Sequence, residues 1–395
     1  MGIAVPNVNA TKLSKIEIPV APTNEQRRIV TKIEELFSEL DQGVNSLKTA
    51  RAQLKTYRQS LLKAAFEGKL TEQWREESAG DLESGEQLLE RIRAEREALY
   101  FEKLEAWEAD SLREKQVIHG RKPSKPKPPQ LPTHPVPFTY AANGDWGRYC
   151  HWTSLSAIAD VSGGITKNQK RTSFDLEKPF LRVGNVYANE LRLDDIHTIG
   201  LKEQEIHRVT LKTGDLLIVE GNGSVDQLGR VAVWNGAISE CVHQNHLIKA
   251  RVAPQVNAKY VMWFLLSEVG KESIKKVASS TSGLHTLSLS KVGKLNVPLC
   301  NYAEQNEIVS LIEQSVSRAD AMEASIVQAI EQGESLRQSI LKRAFEGKLV
   351  PQDPNDEPAS ELLERIRQEQ GEKPAPVRRK RRKQESTADL FDGND

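Results

Sequence analysis

A long stretch of this chain occurs twice. Residues 13–70 align without a gap to residues 292–349 at a constant offset of 279, and 24 of the 58 positions are identical. Agreement peaks in RQSLLKAAFEGKL (58–70) against RQSILKRAFEGKL (337–349), and LLERIR recurs at 88–93 and 362–367. Each copy must be one structural unit, and the sequence between them must fold as something else.

Within the first copy Ile33, Leu40, Leu47, Leu54 and Leu61 recur every seven residues, with Leu36, Ala50 and Tyr57 at the intervening spacing. The second copy repeats this register with Ile312, Ala319, Ile326, Gly333 and Ile340, accompanied by Met322, Ala329 and Leu336. Such heptads predict a coiled-coil seam, weaker in the second copy because its side chains are smaller. Thr23 with Gln26, and Asn301 with Glu304, have capping-box spacing at the helix starts. Gly68 and Gly347 mark the stops. Helices of this span, ~65 Å at 1.5 Å per residue, need a partner to bury their apolar stripe. A generic coiled-coil dimer is one solution. If the two helices pair with each other, the chain must return after the intervening sequence, and they run antiparallel.

That intervening sequence changes texture twice. A charged helical stretch (about 83–117) gives way to a linker with seven prolines between Pro123 and Pro137, expected to be extended and semi-rigid. Residues 146–290 carry short alternating runs such as FLRVGNV, DLLIVEG, RVAVWNG and HLIKARV, punctuated by Gly, Asn and Asp, which read as strands. A helix over 257–277 closes this globule. The fold expected is α+β: long antiparallel coiled-coil helices (24–70 and 291–349), a β-rich domain at 146–290 with a closing helix, and a tail (350–395) with a short helix and a disordered basic end containing RRKRRK (378–383).

Carried upstream, the same offset sets Met1 against Ser280 and residues 2–11 against 281–290. Residues 1–23 then read as the remnant of a first globule whose other positions, equivalent to 146–280, are missing from the repeat. An internal start codon, a gene split by mutation or inversion, and a half-subunit that regains symmetry by dimerising all account for this. Ile3, Val5, Leu13 and Ile16 would lack packing partners, giving an exposed apolar end.

Charge is balanced, with 55 basic and 55 acidic residues, so any nucleic-acid surface must be local. The globule itself carries 17 Lys and Arg against 14 Asp and Glu, a net of +3. Cys150, Cys241 and Cys300 are widely spaced without a CxxC pair, which suits a reducing compartment, the cytoplasm by default. No apolar run approaches the ~18–20 residues of a membrane span.

The AFEGKL repeats, PVAPTNEQRRIV (19–30) and, in the globule, VSGGITK, RVGNV, GDLLIVEGNGS, LGR and HQNH together resemble the DNA-specificity subunits of type I restriction-modification systems. The resemblance covers nearly the whole chain, apart from most of a first recognition domain. It implies a non-catalytic subunit whose target-recognition domain reads one half of a split site in double-stranded DNA. It also implies helices that fix the distance to the other half and dock methyltransferase and restriction subunits. Half-sites on one face of DNA lie ~34–36 Å apart per turn, so a rod of the length above spans nearly two turns.

Other chemistries are less well supported by the residues. Cys241, His243 and His246 have the types and spacing of zinc ligands, but no second short-spaced pair accompanies them. Gly221, Gly223 and Gly229 lack the lysine of a phosphate-binding loop. Neither an adenosylmethionine-binding turn nor a nuclease cluster is recognisable, and no cofactor is expected. For DNA contact, Lys167, Asn168, Gln169, Lys170 and Arg171, and Lys275, Lys276, Ser279, Ser280 and Thr281, form loop clusters suited to phosphates. Arg182, Asn185, Asn222, Arg230, Gln244, Asn245 and His285 have the bidentate or amide groups that read bases, with Ser224 and His246 beside them. The competing function is a coiled-coil adaptor whose globule binds protein.

Overall fold

The computed structural model describes residues 10–78, 82–114, 125, 126, 128, 146–222, 228–281 and 284–371. Ile3 and Val5, Ser224, most of the proline-rich linker and the basic run at 378–383 lie outside the described residues. The chain divides into two compact units: Met1–Ala50 with Ser325–Asp395, and Arg51–Ala324.

The two repeat helices form as the heptads predict, over Thr23–Phe66 and Tyr302–Phe345. Both end in the same way. Gly68 and Gly347 adopt φ of 76° and 67°, open to glycine at little cost, and the amides of Lys69 and Lys348 reach back to the carbonyls of Ala64 and Arg343 at 3.0 and 2.8 Å. The starts differ. Asn301 accepts a hydrogen bond from the Glu304 amide at 2.8 Å, whereas Thr23 lies inside its helix and Gln26 instead donates through Nε2 to the Ala21 carbonyl at 2.7 Å. At the second helix the reciprocal half of the capping box is absent, and the Glu304 carboxylate is bonded to Thr71 and Arg75 instead.

Within each unit the helices run antiparallel. In the larger one Arg51 pairs with Glu323 at 3.0 Å, and Arg58, further along, reaches back to Asp320 and Glu323 at 2.6 and 2.9 Å. In the smaller one Arg337 pairs with Asp41 and lies 4.4 Å over the Phe37 ring. A methyl group at Gly333 would come within 3.2 Å of Val44, so glycine there brings the backbones close. The seven-residue row is the buried one, with Leu54, Leu61, Ile312, Ala319 and Ile340 all at 8% exposure or less. Its companion row is divided: Leu36, Ala50 and Ala329 are half-buried, as are Ile33, Leu40, Leu47 and Ile326 of the first row. Tyr57, Met322 and Leu336 are exposed, and the positions one residue further on, Arg58, Glu323 and Arg337, line the seam with long side chains that lay their stems on it and pair across it.

The globule is a set of small sheets on one helical face. Strands Ala159–Gly163, Leu247–Val252, Leu216–Val219 and Val231–Val233 form an antiparallel sheet in that order; Val242–His243, Leu176–Leu181 and His197–Leu201 form a second, mixed sheet in which the first pair is parallel and the second antiparallel. Apolar residues on both faces of Leu216–Val219 make it a central, fully buried strand. A third sheet joins Ser279–Thr281, Leu284–Thr286 and Gly221–Asn222. The closing helix predicted over 257–277 is two helices, Ala258–Leu266 and Glu268–Val277. Ser267 breaks it: its hydroxyl donates to the Phe264 carbonyl and accepts from the Gly270 amide, ending one helix and capping the next.

The globule's ladder continues past 290. Strand Asn296–Leu299 pairs antiparallel with His151–Ser154, His151 opposite Leu299, and the charged helix Gly85–Glu114 lies against both. Leu88, Leu89 and Ile92 of that helix share one core with Phe66, Trp146, Tyr260, Phe264 and Leu299. Phe66 meets the Tyr260 and Phe264 rings at 5.4 and 5.3 Å. Beneath them Arg75 donates to Glu304 and the Gly68 carbonyl, so a buried ion pair is also hydrogen-bonded to the helix stop.

Candidate functional site

Two loops of the globule bring most of the base-reading candidates together. After strand Leu176–Leu181 the chain turns through Val183–Asn185, and Asn185 accepts from the Arg182 amide at 2.9 Å. Its Nδ2 donates to the carbonyls of Arg192 and Asp195 at 2.9 and 3.0 Å. Asn185 is buried and its amide fully engaged, so it fixes this turn and is not available to a base, which corrects its reading as a contact residue. Arg182 donates to Asp195 at 2.6 Å, and this holds the Asp195 carboxyl below its ordinary range.

Gln244 joins the same turn, its amide bonded to the Leu181 carbonyl at 2.9 Å and its Oε1 accepting from the Val183 amide at 3.4 Å. Asn245 is held by its amide to the Ile165 carbonyl, and His246 is exposed, its Nδ1 at 2.8 Å from Glu220. Asn245 and Gln244 remain partly accessible at the side chain.

Beyond the turn, a hairpin of Val186–Tyr187 and Glu190–Leu191 adds two residues that the sequence reading missed. The Tyr187 ring lies 4.0 Å from the Arg192 guanidinium and 5.0 Å from that of Arg230. Arg192 is paired with Glu190 at 2.8 Å. Arg230 has no ion-pair partner among the described residues, and its Nε is shielded from solvent without a hydrogen-bond partner there. Three arginines, one aromatic ring and two amides therefore share one edge of the globule. The signal available was an aromatic set between two arginines, RVGNVYANELR (182–192), which the loop reading passed over.

Elsewhere the candidates separate. Lys167, Asn168 and Lys170 are exposed around the short helix Gln169–Ser173. Arg171 is internal: it grips Glu205 through two bonds of 2.9 Å and donates to the carbonyls of Thr166 and Gly200. That grip pulls the Glu205 carboxyl down to about 2. Arg171 is therefore engaged as a strut, whereas Lys167, Asn168 and Lys170 of the same cluster are exposed. Lys275 and Lys276 are exposed at the end of Glu268–Val277, where Lys276 pairs with Glu272 at 3.0 Å. Asn222, His285 and Ser280 fall directly opposite one another across the third sheet, a row assembled from three separate segments. Their side chains, and that of Thr281, lie outside the described residues.

The possible zinc ligands do not converge. Cys241 is buried in an apolar cluster, where burial raises its thiol to about 11. His243 is buried with Nδ1 at 2.9 Å from the Leu247 carbonyl, and burial, with Lys249 nearby, lowers it to about 4. His246 is on the surface. Among the described residues no group of three or more His, Cys, Asp or Glu is arranged to hold a metal ion, and no helix is long and apolar enough to cross a membrane. A buried polar knot lies behind the site: Asp215 takes two bonds from Arg251 at 2.6 and 2.7 Å, and Lys249, lowered to about 8 by burial and then by Arg251, donates to the carbonyls of Arg208 and Thr210. Asp215 and Lys249 are buried and Arg251 is partly exposed, and together they brace the central sheet.

Comparison with known proteins supplies what the geometry leaves open. No protein-family model matches the chain. It is 25% identical over 381 residues, 93% of its length, to the type I restriction enzyme EcoKI specificity subunit of Escherichia coli K12, and 24% identical over 380 residues to the StySPI specificity subunit of Salmonella potsdam. It spans about two thirds of each relative, 67%. Among solved structures, a chain from work on complex assembly and conformational transition of the type I R-M system shares the fold with a TM-score of 0.53 and 16% identity, over 88% of this chain and 66% of that one.

Proposed function

Because the chain is a homologue of the type I restriction enzyme specificity subunits, we propose that it reads DNA sequence and catalyses nothing itself, leaving methylation and cleavage to partner subunits. The observation that carries this reading is similarity along 93% of the chain to proteins named as specificity subunits. The adaptor alternative has no comparable support.

In this reading the globule binds one half of a bipartite site in double-stranded DNA. Arg182, Arg230, Gln244, Asn245 and His246, with Tyr187 and Arg192 beside them, face base edges, and the row of Asn222, His285 and Ser280 extends that surface. Lys167, Asn168, Lys170, Lys275, Lys276 and Thr281 meet phosphates. The division follows chemistry, since Arg and amide side chains match base edges and Lys acts as a point charge. The paired helices carry methyltransferase and restriction subunits in the cytoplasm. A homodimer would supply the second half-site.

The test is fluorescence anisotropy of the full chain with duplex DNA across a salt series. Binding should weaken linearly on a log–log scale, and replacing Lys167 and Lys170 by Gln should lower the slope by about 1 for each phosphate that these lysines neutralise. No salt-dependent binding, with methyltransferase present or absent, would leave the adaptor in its place.

A further inference from the structure

The cysteines are far apart in sequence, but the fold sets two of them face to face. Cys150 and Cys300 belong to the core that the globule shares with the helix ends, while Cys241 lies in a separate apolar cluster. All three are free thiols. In the antiparallel ladder of His151–Ser154 with Asn296–Leu299, His151 stands opposite Leu299. One step further along the same register, Cys150 stands opposite Cys300. Both are buried, at 7% and 0% exposure.

The register also fixes what kind of pair this is. Opposed residues of an antiparallel ladder alternate between hydrogen-bonded pairs and closer pairs that exchange no backbone bonds, with Cα atoms ~5.5 and ~4.5 Å apart. The Leu155 amide donates to the Leu295 carbonyl at 2.8 Å, which makes those two a bonded pair. Counting back along the ladder, Trp152 and Pro298 form an unbonded pair, as a residue without an amide hydrogen requires, and so do Cys150 and Cys300. Their backbone groups agree. The Cys150 amide donates to the Trp146 carbonyl at 2.9 Å, and the Cys300 carbonyl accepts from Gln305 Nε2 at 2.8 Å, so both are engaged away from the ladder. A Cα separation of ~4.5 Å falls inside the ~4.4–6.8 Å that a disulfide spans. The sulfurs are near enough that charge on Cys150 opposes ionisation of Cys300.

We propose that Cys150 and Cys300 are a dithiol that low-molecular-weight disulfides convert into a cross-strand disulfide, fastening the globule to the start of the second long helix. Cys150 directly precedes the globule's first strand, and Cys300 directly precedes Asn301, the cap of that helix. The bond therefore closes one loop around every strand of the globule. One protein thiolate attacks a small disulfide such as oxidised glutathione, forming a mixed disulfide and releasing one glutathione thiol. The second thiolate then attacks the protein sulfur of that mixed disulfide, forming the Cys150–Cys300 bond and expelling the second glutathione. Two electrons pass from the protein to the small disulfide, and the two thiol protons go to the two glutathiones released. Burial, and then the nearby Glu304 carboxylate, raise both thiols well above the ordinary cysteine value, so exchange proceeds when this edge of the ladder opens. The pair stays reduced in a thiol-rich compartment and closes under oxidative load. None of this depends on DNA binding, and each reading can fail without the other.

The experiment equilibrates the full chain with oxidised glutathione, once as the folded protein and once through a cycle of denaturation and refolding, and maps alkylated peptides by mass spectrometry. Both arms should yield the peptides joined through Cys150 and Cys300, with Cys241 recovered as a thiol or a glutathione adduct. In denaturant the linked chain should show an unfolded fraction lower by about a hundredfold or more, and dithiothreitol should reverse the change. Cys241→Ser should leave the linkage and its effect intact, whereas Cys150→Ser should remove both. A chain that leaves Cys150 and Cys300 unlinked in both arms, or joins either one to Cys241 instead, overturns the proposal. So does a bond that forms only on refolding, or that leaves the chain less stable than its thiol form, because the closed ladder would then not admit it.

Discussion

The end of the first repeat helix and the end of the second carry the same six residues, AFEGKL, and meet different surroundings. Phe66 sits in an aromatic cluster; Phe345 is exposed. Both helices nevertheless stop at the same glycine with the same backbone bonds. Local sequence therefore decides where an element begins and ends, whereas burial is decided by which other segment of the chain packs on it. The globule of residues 146–300 covers the apolar residues just ahead of the second long helix, and no described residue does so ahead of the first.

This contrast is easiest to break at the phenylalanines. Phe66→Ala should destabilise the larger unit by ~3–5 kcal/mol through reduced transfer energy and a cavity. Phe345→Ala, at an exposed site, should change stability by no more than ~0.5 kcal/mol. Denaturant unfolding followed by tryptophan fluorescence separates them; equal effects would mean that Phe345 is covered in solution. The ion pair gives a second contrast. Arg75→Ala strands the Glu304 carboxylate inside the protein and should cost ~3–5 kcal/mol, whereas Arg51→Ala, which breaks a more exposed pair with Glu323, should change little in the same assay.

Smaller effects sharpen the comparison at the helix starts. Asn301→Ala removes a side-chain cap and should cost ~1 kcal/mol, whereas Thr23→Ala should be almost silent, because Thr23 caps nothing. The smallest effect is a pH dependence confined to the globule. Glu205 falls from its ordinary 4.5 to about 2 because Arg171 hydrogen-bonds it, so its contribution is complete above pH ~4.5 and is lost as pH drops towards 2. Glu205→Gln should flatten the acid limb of the stability profile in that window. An unchanged limb would show that the pair contributes nothing in solution.

The repeat, the long helices, their glycine stops and the β texture of the globule were legible because each rests on periodicity or on a residue with a special backbone demand. The companion row of the seam was not, since Arg58, Glu323 and Arg337 read as solvent residues until their stems lie on the seam and their charges pair across it. The break at Ser267 was missed for a related reason: one hydroxyl serving as both acceptor and donor leaves no periodic trace. At the candidate site, residue type identified the region. Only geometry distinguished the internal Asn185 and Arg171 from Arg230, and drew Tyr187 and Arg192 beside it.

The central claim, that this chain selects the DNA sequence on which partner enzymes act, is tested most directly by sequencing methylated bases in DNA from cells expressing the methyltransferase subunit with the chain, with its Arg230→Ala variant, or without either. The account predicts adenine methylation at a defined site only with the chain, reduced or relaxed at one base by Arg230→Ala. Methylation that is the same with and without the chain would contradict it.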